Sequence, residues 1–330
     1  LHPRVRRQRQ MCIRDSIKGL YELGVEIEEN SELDLLVSFK EHENDPRIPE
    51  VCADMAKEMG EGKYYADLNV KMAQFELTLL DWAEAHKGAR KYVAFADKCW
   101  PAFPSQFGFE PCYVNSRLVS RGIPVSCEVD IYGALSEYIG LCISNDAVTL
   151  LDINNSVPQY IYDEDIKGKY DYKLTDTFMG FHCGNTPACK MCDSRAVKYQ
   201  LIQHRLLEPA GSEPDFTRGT LEGDIAASDI TFYRLQCNSE GELVSYVAEG
   251  EVLDVPTRSF GGIGIFAIKE MGRFYRHVLI EGGYPHHGAV AFGHHGKALY
   301  EVFKYIGVPV EEIGYNQPAG VKYPTENPWG

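Results

Sequence analysis

The stretch Val125–Asp152, VSCEVDIYGALSEYIGLCISNDAVTLLD, decides how this chain is read. One apolar run ends on Glu128 and a second ends on Asp152. Between them Ile131, Ala134, Leu135, Tyr138, Ile139 and Cys142 recur at the spacing of a helix with one buried face. The pattern predicts a strand, a crossover helix and a second, parallel strand. Right-handed crossovers put such strands in one sheet, and open α/β sheets hold ligands at the carboxyl ends of their strands. Both acids are therefore expected in one cleft.

Working upstream, Lys63 to His86 reads as a helix with Met72, Phe75, Leu79, Leu80 and Trp82 on or near one face and Gly88 as its cap. Lys91–Ala96 reads as a buried strand, Cys99 to Pro111 as a loop and Tyr113 to Ser120 as a short helix. With strands at about 91–96, 123–127 and 147–151, residues 63–152 read as a doubly wound, Rossmann-like parallel α/β domain. Residues 17–62 are acidic and read as a remnant of an N-terminal region, with a short strand at Leu33–Phe39 that Pro46 and Pro49 separate from the next segment. Downstream, Asn154-Asn155-Ser156 and Pro158 mark a boundary. Apolar residues then tend to alternate, so 153–330 reads as a mainly antiparallel, barrel-like domain with strands at Asp229–Gln236, Leu243–Ala248 and Arg276–Glu281 and a last helix at His295–Ile306.

The length of 330 residues suffices for two domains with full cores. No apolar run approaches the roughly 20 residues of a membrane span, so no membrane partner is expected. The first sixteen residues, LHPRVRRQRQMCIRDS, carry five arginines and one acid, and Met11–Ser16 resembles the translation of a sequencing-library adaptor. Residues 1–16 are therefore set aside as non-native, a basic nucleic-acid arm being the other reading. Without them 28 basic residues face 47 acidic ones, a net charge of −19, which disfavours nucleic acid as a partner. Ten scattered cysteines, without a visible signal peptide, predict free thiols in a reducing cytoplasm.

Three clusters carry chemistry besides the two acids. Phe181-His-Cys-Gly-Asn-Thr-Pro187 places a histidine in a loop, Glu281-Gly-Gly-Tyr-Pro-His-His287 sets two imidazoles behind a tight turn, and Cys183, Cys189 and Cys192 include a C-x-x-C. Taken singly, a strand-end acid is more often a cap or ion-pair partner, His182 is as readily structural, and His286-His287 or His294-His295 suit surface turns. On another reading the C-x-x-C is half of a structural zinc site, which still needs a fourth ligand and has His182 as its one neighbouring candidate. Taken together, carboxylates and imidazoles suit Mn²⁺, Fe²⁺ or Co²⁺ with open positions. Such an ion stabilises charge on two adjacent sugar oxygens while a carboxylate moves a proton between their carbons. That is the chemistry of an aldose–ketose isomerase.

The run RGIPVSCEVDIYGALSEYI (residues 121–139) with Asp152 downstream, the FHCGNTP loop and GGYPHHGAVAFGH (residues 282–294) resemble the L-fucose isomerase family and its L-arabinose isomerase relatives over most of residues 63–310. The resemblance implies a divalent metal, Mn²⁺ above others, held by Glu128, Asp152 and His287, with His286 the alternative to His287. It implies proton transfer through a cis-enediol with Glu128 and Asp152 as the acid/base pair, a metal-assisted hydride shift being the rival. His182, Asn185 and Trp100 are expected to line the sugar pocket. It also implies a homo-oligomer, commonly a hexamer, and a first α/β domain almost wholly absent here, so that this stretch is expected to fold without being active. Two other classes stay open: a non-catalytic sugar-binding relative, and the structural-zinc protein built on Cys183, Cys189 and Cys192.

Overall fold

In the computed structural model, residues 19–309 apart from 22 and 239 are described, together with the strand at 313–316. Ser31 opens the first long helix, α1 (Glu32–Glu41), its side chain accepting from Leu33 N at 3.1 Å. Glu32 and Asp34 in the first turn and Lys40 in the last suit the helix dipole. The strand expected at Leu33–Phe39 is thus helical. Phe39 is buried, Leu35 and Leu36 pack against the same core, and Leu33 and Val37 face water. A short apolar run does not by its period separate strand from helix, and the serine cap settled the matter. In α2 (Ile48–Met59) Pro49 sits in the first turn, where its missing N–H costs nothing, so it starts a helix rather than ending one.

The predicted long helix is α3 (Ala66–His86). Phe75 on it meets Phe39, Phe103, Phe107 and Phe109 with ring centroids 5.2 to 6.1 Å apart, and this aromatic cluster centres the N-terminal core. The strands expected at 91–96 and 123–127 shrink to β1 (Phe95–Ala96) and β2 (Val125–Ser126), paired in parallel on either side of α4 (Cys112–Ser120). Helix α5 (Ile131–Ser144) follows β2 closely.

The strand after α5, β3 (Val148–Asn155), does not return to β2. It pairs antiparallel with β4 (Thr177–His182), and β5 (Ala196–Tyr199) and β6 (Arg218–Asp224) lead on to β7 (Ser228–Cys237), β8 (Leu243–Val252), β9 (Gly262–Ala267) and β10 (His287–Phe292). The order β3–β4–β9–β8–β7–β10 closes back on β3 through antiparallel pairs, giving a six-stranded barrel. β6 adds in parallel to β9 and pairs antiparallel with β5, α6 (Gly296–Tyr305) covers the barrel, and β11 (Ile313–Asn316) adds in parallel to β8. The antiparallel barrel expected from the sequence is present, whereas among the described residues no doubly wound sheet forms around Val125–Asp152. The reason lies in β3. Val148 and Leu150 pack outward against Tyr233, Val247, Ala289 and Ala291, while Leu151 and Ile153 pack inward with Phe232, Phe266 and Val290. A strand buried on both faces reads like one from a parallel sheet.

Two further expectations change. Residues 276–281 continue a helical segment from Met271 rather than forming a strand. Helix α5 also buries more than the face its apolar spacing indicates: Ala134 of that stripe is covered, but so are Ser136, Glu137 and Gly140, while Leu135 and Ile139 are half-buried and Cys142 is exposed. Small and polar residues let the helix backbone lie directly on β7, where Leu235 N donates to Ser136 Oγ at 3.1 Å and Tyr233 Oη donates to Ser136 O at 2.8 Å. A Cβ on Gly140 would lie 1.8 Å from Tyr233 Oη. In an open helix Gly→Ala gains about 1 kcal/mol. Here overpacking dominates, and Gly140→Ala is expected to destabilise by about 1–3 kcal/mol in thermal melts. Equal or higher stability would show that α5 does not press on Tyr233. No helix among the described residues is long and apolar enough to cross a membrane.

Candidate active site

Asp152 on β3 and His287 on β10 are register partners. The two-residue period places Asp152 with Val148 and Leu150, and His287 with Ala289 and Ala291, on the outer face of the barrel end. His287 Nε2 lies 3.1 Å from Asp152 Oδ1, yet both atoms are buried and neither meets a partner in hydrogen-bond geometry.

Asp130 fixes that arrangement. It caps α5, accepting from Gly133 N at 2.8 Å, and takes a two-pronged bond from Arg234, Nη1 to Oδ2 at 2.7 Å and Nη2 to Oδ1 at 2.8 Å. His287 Nδ1 lies 3.0 Å from Asp130 Oδ2, which fixes the ring so that Nε2 points at Asp152. Burial works to raise Asp130, but His287, Arg234 and the Gly133 amide outweigh it and hold the carboxyl well below its usual range. For His287 burial lowers the pKa, but Asp130 and Asp152 overcome it and push the ring up to about 9. Asp152 stays below its ordinary value because the histidines around it, His287 first, outweigh burial.

Glu128 approaches His287 from the other segment, Oε2 to Nε2 at 3.8 Å, and its side chain is 48% exposed. It and Val129 both adopt left-handed backbone, φ 63° and 59°. Two such residues in succession, one of them β-branched, are a strained turn that aims a side chain. Val129→Gly removes part of that strain. We expect stability to rise by about 1 kcal/mol in urea denaturation, with Glu128 held less firmly. A loss of stability would mean that the turn is not strained.

The remaining sequence candidates divide. His286 joins Asp152 and His287 in a group whose ligand atoms lie within 4.8 Å of one another, but its side chain is largely exposed, 3.7 Å from Asp152 Oδ1. His182 is buried with its ring 5.8 Å from that of His287, and burial pushes its pKa down. Asn185 is buried with both amide atoms unpartnered. Trp100 lines an open cleft of about 390 Å³ with Lys98, Glu128 and Val129. Cys183, Cys189 and Cys192 do not assemble: Cys183 Sγ accepts from Gln200 Nε2 at 3.2 Å, Cys189 is exposed, and the three form none of the clustered ligand groups among the described residues. Asp130 and Arg234 were missed by sequence reasoning. The available signals were an acid one residue before a helix and a lone arginine in the apolar strand ITFYRLQC.

Residues 180–314 match the family model of the L-fucose isomerase C-terminal domain, so this region of the chain is similar to that family. Among curated proteins it is similar to the sulfoquinovose isomerase of Alkalicoccus urumqiensis, 26% identical over 252 residues, 72% of this chain and 49% of that protein. The sulfoquinovose isomerase of Priestia aryabhattai is 26% identical over 242 residues, 72% of this chain and 47% of that one. That of Clostridium sp. (strain MSTE9) is 24% identical over 208 residues, 61% of this chain and 39% of its own length. The chain thus spans about half or less of the length of the relatives it matches.

Proposed function

We propose that this chain contributes the metal-binding and proton-transferring part of an aldose–ketose isomerase. The observation that carries the reading is the pair of buried, unpartnered atoms His287 Nε2 and Asp152 Oδ1, 3.1 Å apart, with His287 Nδ1 engaged by Asp130. Such a donor set suits a divalent ion of the Mn²⁺ class held by Asp152, His287 and Glu128, with His286 the less buried alternative. When bound, the ion supplies a Lewis acid to two neighbouring sugar oxygens. Asp130 holds the His287 ring. Glu128, exposed on the cleft, takes or returns the proton at one carbon of the cis-enediol, and Asp152 serves the adjacent oxygen. Trp100 gives a sugar an apolar wall, Asn185 offers its unpaired amide atoms to the hydroxyls, and His182 stands beside His287 in the same pocket. The parallel pair β1–β2 is read as part of the larger α/β sheet expected from the sequence, and the working protein as a homo-oligomer.

The lining of the cleft supports a choice of sugar. Lys98 lines it and has no ion-pair partner among the described residues. A lone cation beside the aromatic wall favours an aldose with an anionic substituent, in keeping with the sulfo-sugar in the relatives' name, over the neutral L-fucose or L-arabinose type. The test is Mn²⁺ titration by calorimetry together with aldose turnover. Mn²⁺ is expected to bind and sulfoquinovose to be turned over, with Lys98→Ala raising KM for it but not for a neutral aldose. Absence of Mn²⁺ binding would overturn the metal site, and turnover confined to neutral sugars would overturn the choice of substrate.

A further inference from the structure

A second group of ligand atoms lies behind the Glu128 turn. Asp97, Cys99 and Cys127 bring a carboxylate oxygen and two sulfurs within 4.8 Å of one another. The parallel pair holds their segments together: Asp97 N donates to Ser126 O at 2.9 Å, and Val129 N donates to Asp97 O at 2.7 Å. Cys99 and Cys127 are 3% and 0% exposed, and both are free thiols. Asp97 Oδ2 accepts from Asn115 Nδ2 at 2.7 Å, whereas Oδ1 is buried and meets no donor in hydrogen-bond geometry. A buried carboxylate oxygen without a partner is costly, so the cluster is incomplete as it stands. A disulfide between the two sulfurs would leave that oxygen unanswered. A cation answers all three ligands at once.

We propose that Asp97, Cys99 and Cys127 form a second cation site, for a thiophilic divalent ion of the zinc class with water in its fourth position. Two thiolates and one carboxylate make a set that selects zinc or cobalt over magnesium, calcium or manganese. Binding forms two metal–sulfur bonds and releases the two thiol protons to solvent. The cleft lined by Lys98, Trp100, Glu128 and Val129 is bounded by the same two segments. Once bound, the ion ties the loop carrying Trp100 to the turn carrying Glu128. The site shares no ligand with Asp152 and His287, and it stands whether or not the chain is an isomerase.

Cobalt titration of the reduced protein, read by the sulfur-to-cobalt charge-transfer absorption, tests this. One equivalent is expected to produce the band, which Cys99→Ser and Cys127→Ser abolish, Asp97→Asn weakens, and Asp152→Asn or Cys189→Ser leaves in place. A readout on the unaltered protein accompanies it: one equivalent of zinc slows alkylation of Cys99 and Cys127, located by peptide mass mapping, and leaves Cys189 reactive. No band, a band that survives both serine variants, unprotected Cys99 and Cys127, or a Cys99–Cys127 disulfide in the freshly purified protein would each overturn the proposal.

Discussion

Turnover of the preferred aldose is expected to fall by about 10²–10⁴-fold in Glu128→Gln, the usual worth of a positioned acid or base. Exposure and aim set this expectation. Glu128 stands half in solvent on a strained left-handed turn, 3.8 Å from His287 Nε2, so its charge contributes little to folding. Glutamine keeps the shape while removing the proton acceptor. Melting temperature should therefore stay the same while kcat collapses, and Mn²⁺ should bind more weakly because one anionic ligand is gone. Activity within a few-fold of the parent protein would remove Glu128 from the chemistry.

Asp130→Ala is expected to be the most destabilising change near the site. Arg234 is 6% exposed and Asp130 11%, so truncation leaves a buried guanidinium without its partner and α5 without its cap. Breaking a buried pair from one side costs about 3–5 kcal/mol, a large part of a domain's usual 5–15 kcal/mol. Asp130→Asn keeps the cap and much of the packing. It should fold but bind Mn²⁺ about 10–100-fold more weakly, because the His287 ring loses the carboxylate that orients it. The same depressed pKa gives a pH dependence. The stabilisation from Asp130 is fully present above the unfolded value near 3.8 and is lost as pH falls toward its lower folded value. Acid denaturation of Asp130→Asn should accordingly be shallower below about pH 4 than that of the parent protein. Parallel acid curves, or undiminished Mn²⁺ affinity, would count against the orienting role.

Much of the site was legible because its residues lie where local rules expose them. Glu128 and Asp152 each close an apolar run, His182 stands just before a Gly-Asn-Thr-Pro segment, and His286 and His287 follow Gly-Gly-Tyr-Pro, where side chains are free to face a ligand. What misled was the assumption that a strand following a crossover helix returns to its own sheet. A strand apolar on both faces fits a parallel sheet or a barrel wall equally well, and only the neighbours of β3 distinguish them. Helix α5 misled for a related reason: its apolar stripe is half-exposed, and Ser136, Glu137 and Gly140 make the close contact with β7. Close backbone approach favours small residues, which a hydrophobic period does not register.

By itself, then, the sequence determined the barrel-forming alternation after Asp152, the long helix ending at His86, the two carboxylates and the histidine pair. Each of these is written in residue type and local spacing. Tertiary structure alone decided that Asp152 faces His287 across β3 and β10, that Asp130 and Arg234 lock the imidazole, and that Asp97 meets Cys99 and Cys127. Those meetings depend on strand register and on which strands become neighbours. Both are set by packing between segments as far as 157 positions apart, as in the Asp130–His287 bond, and no local pattern carries that information.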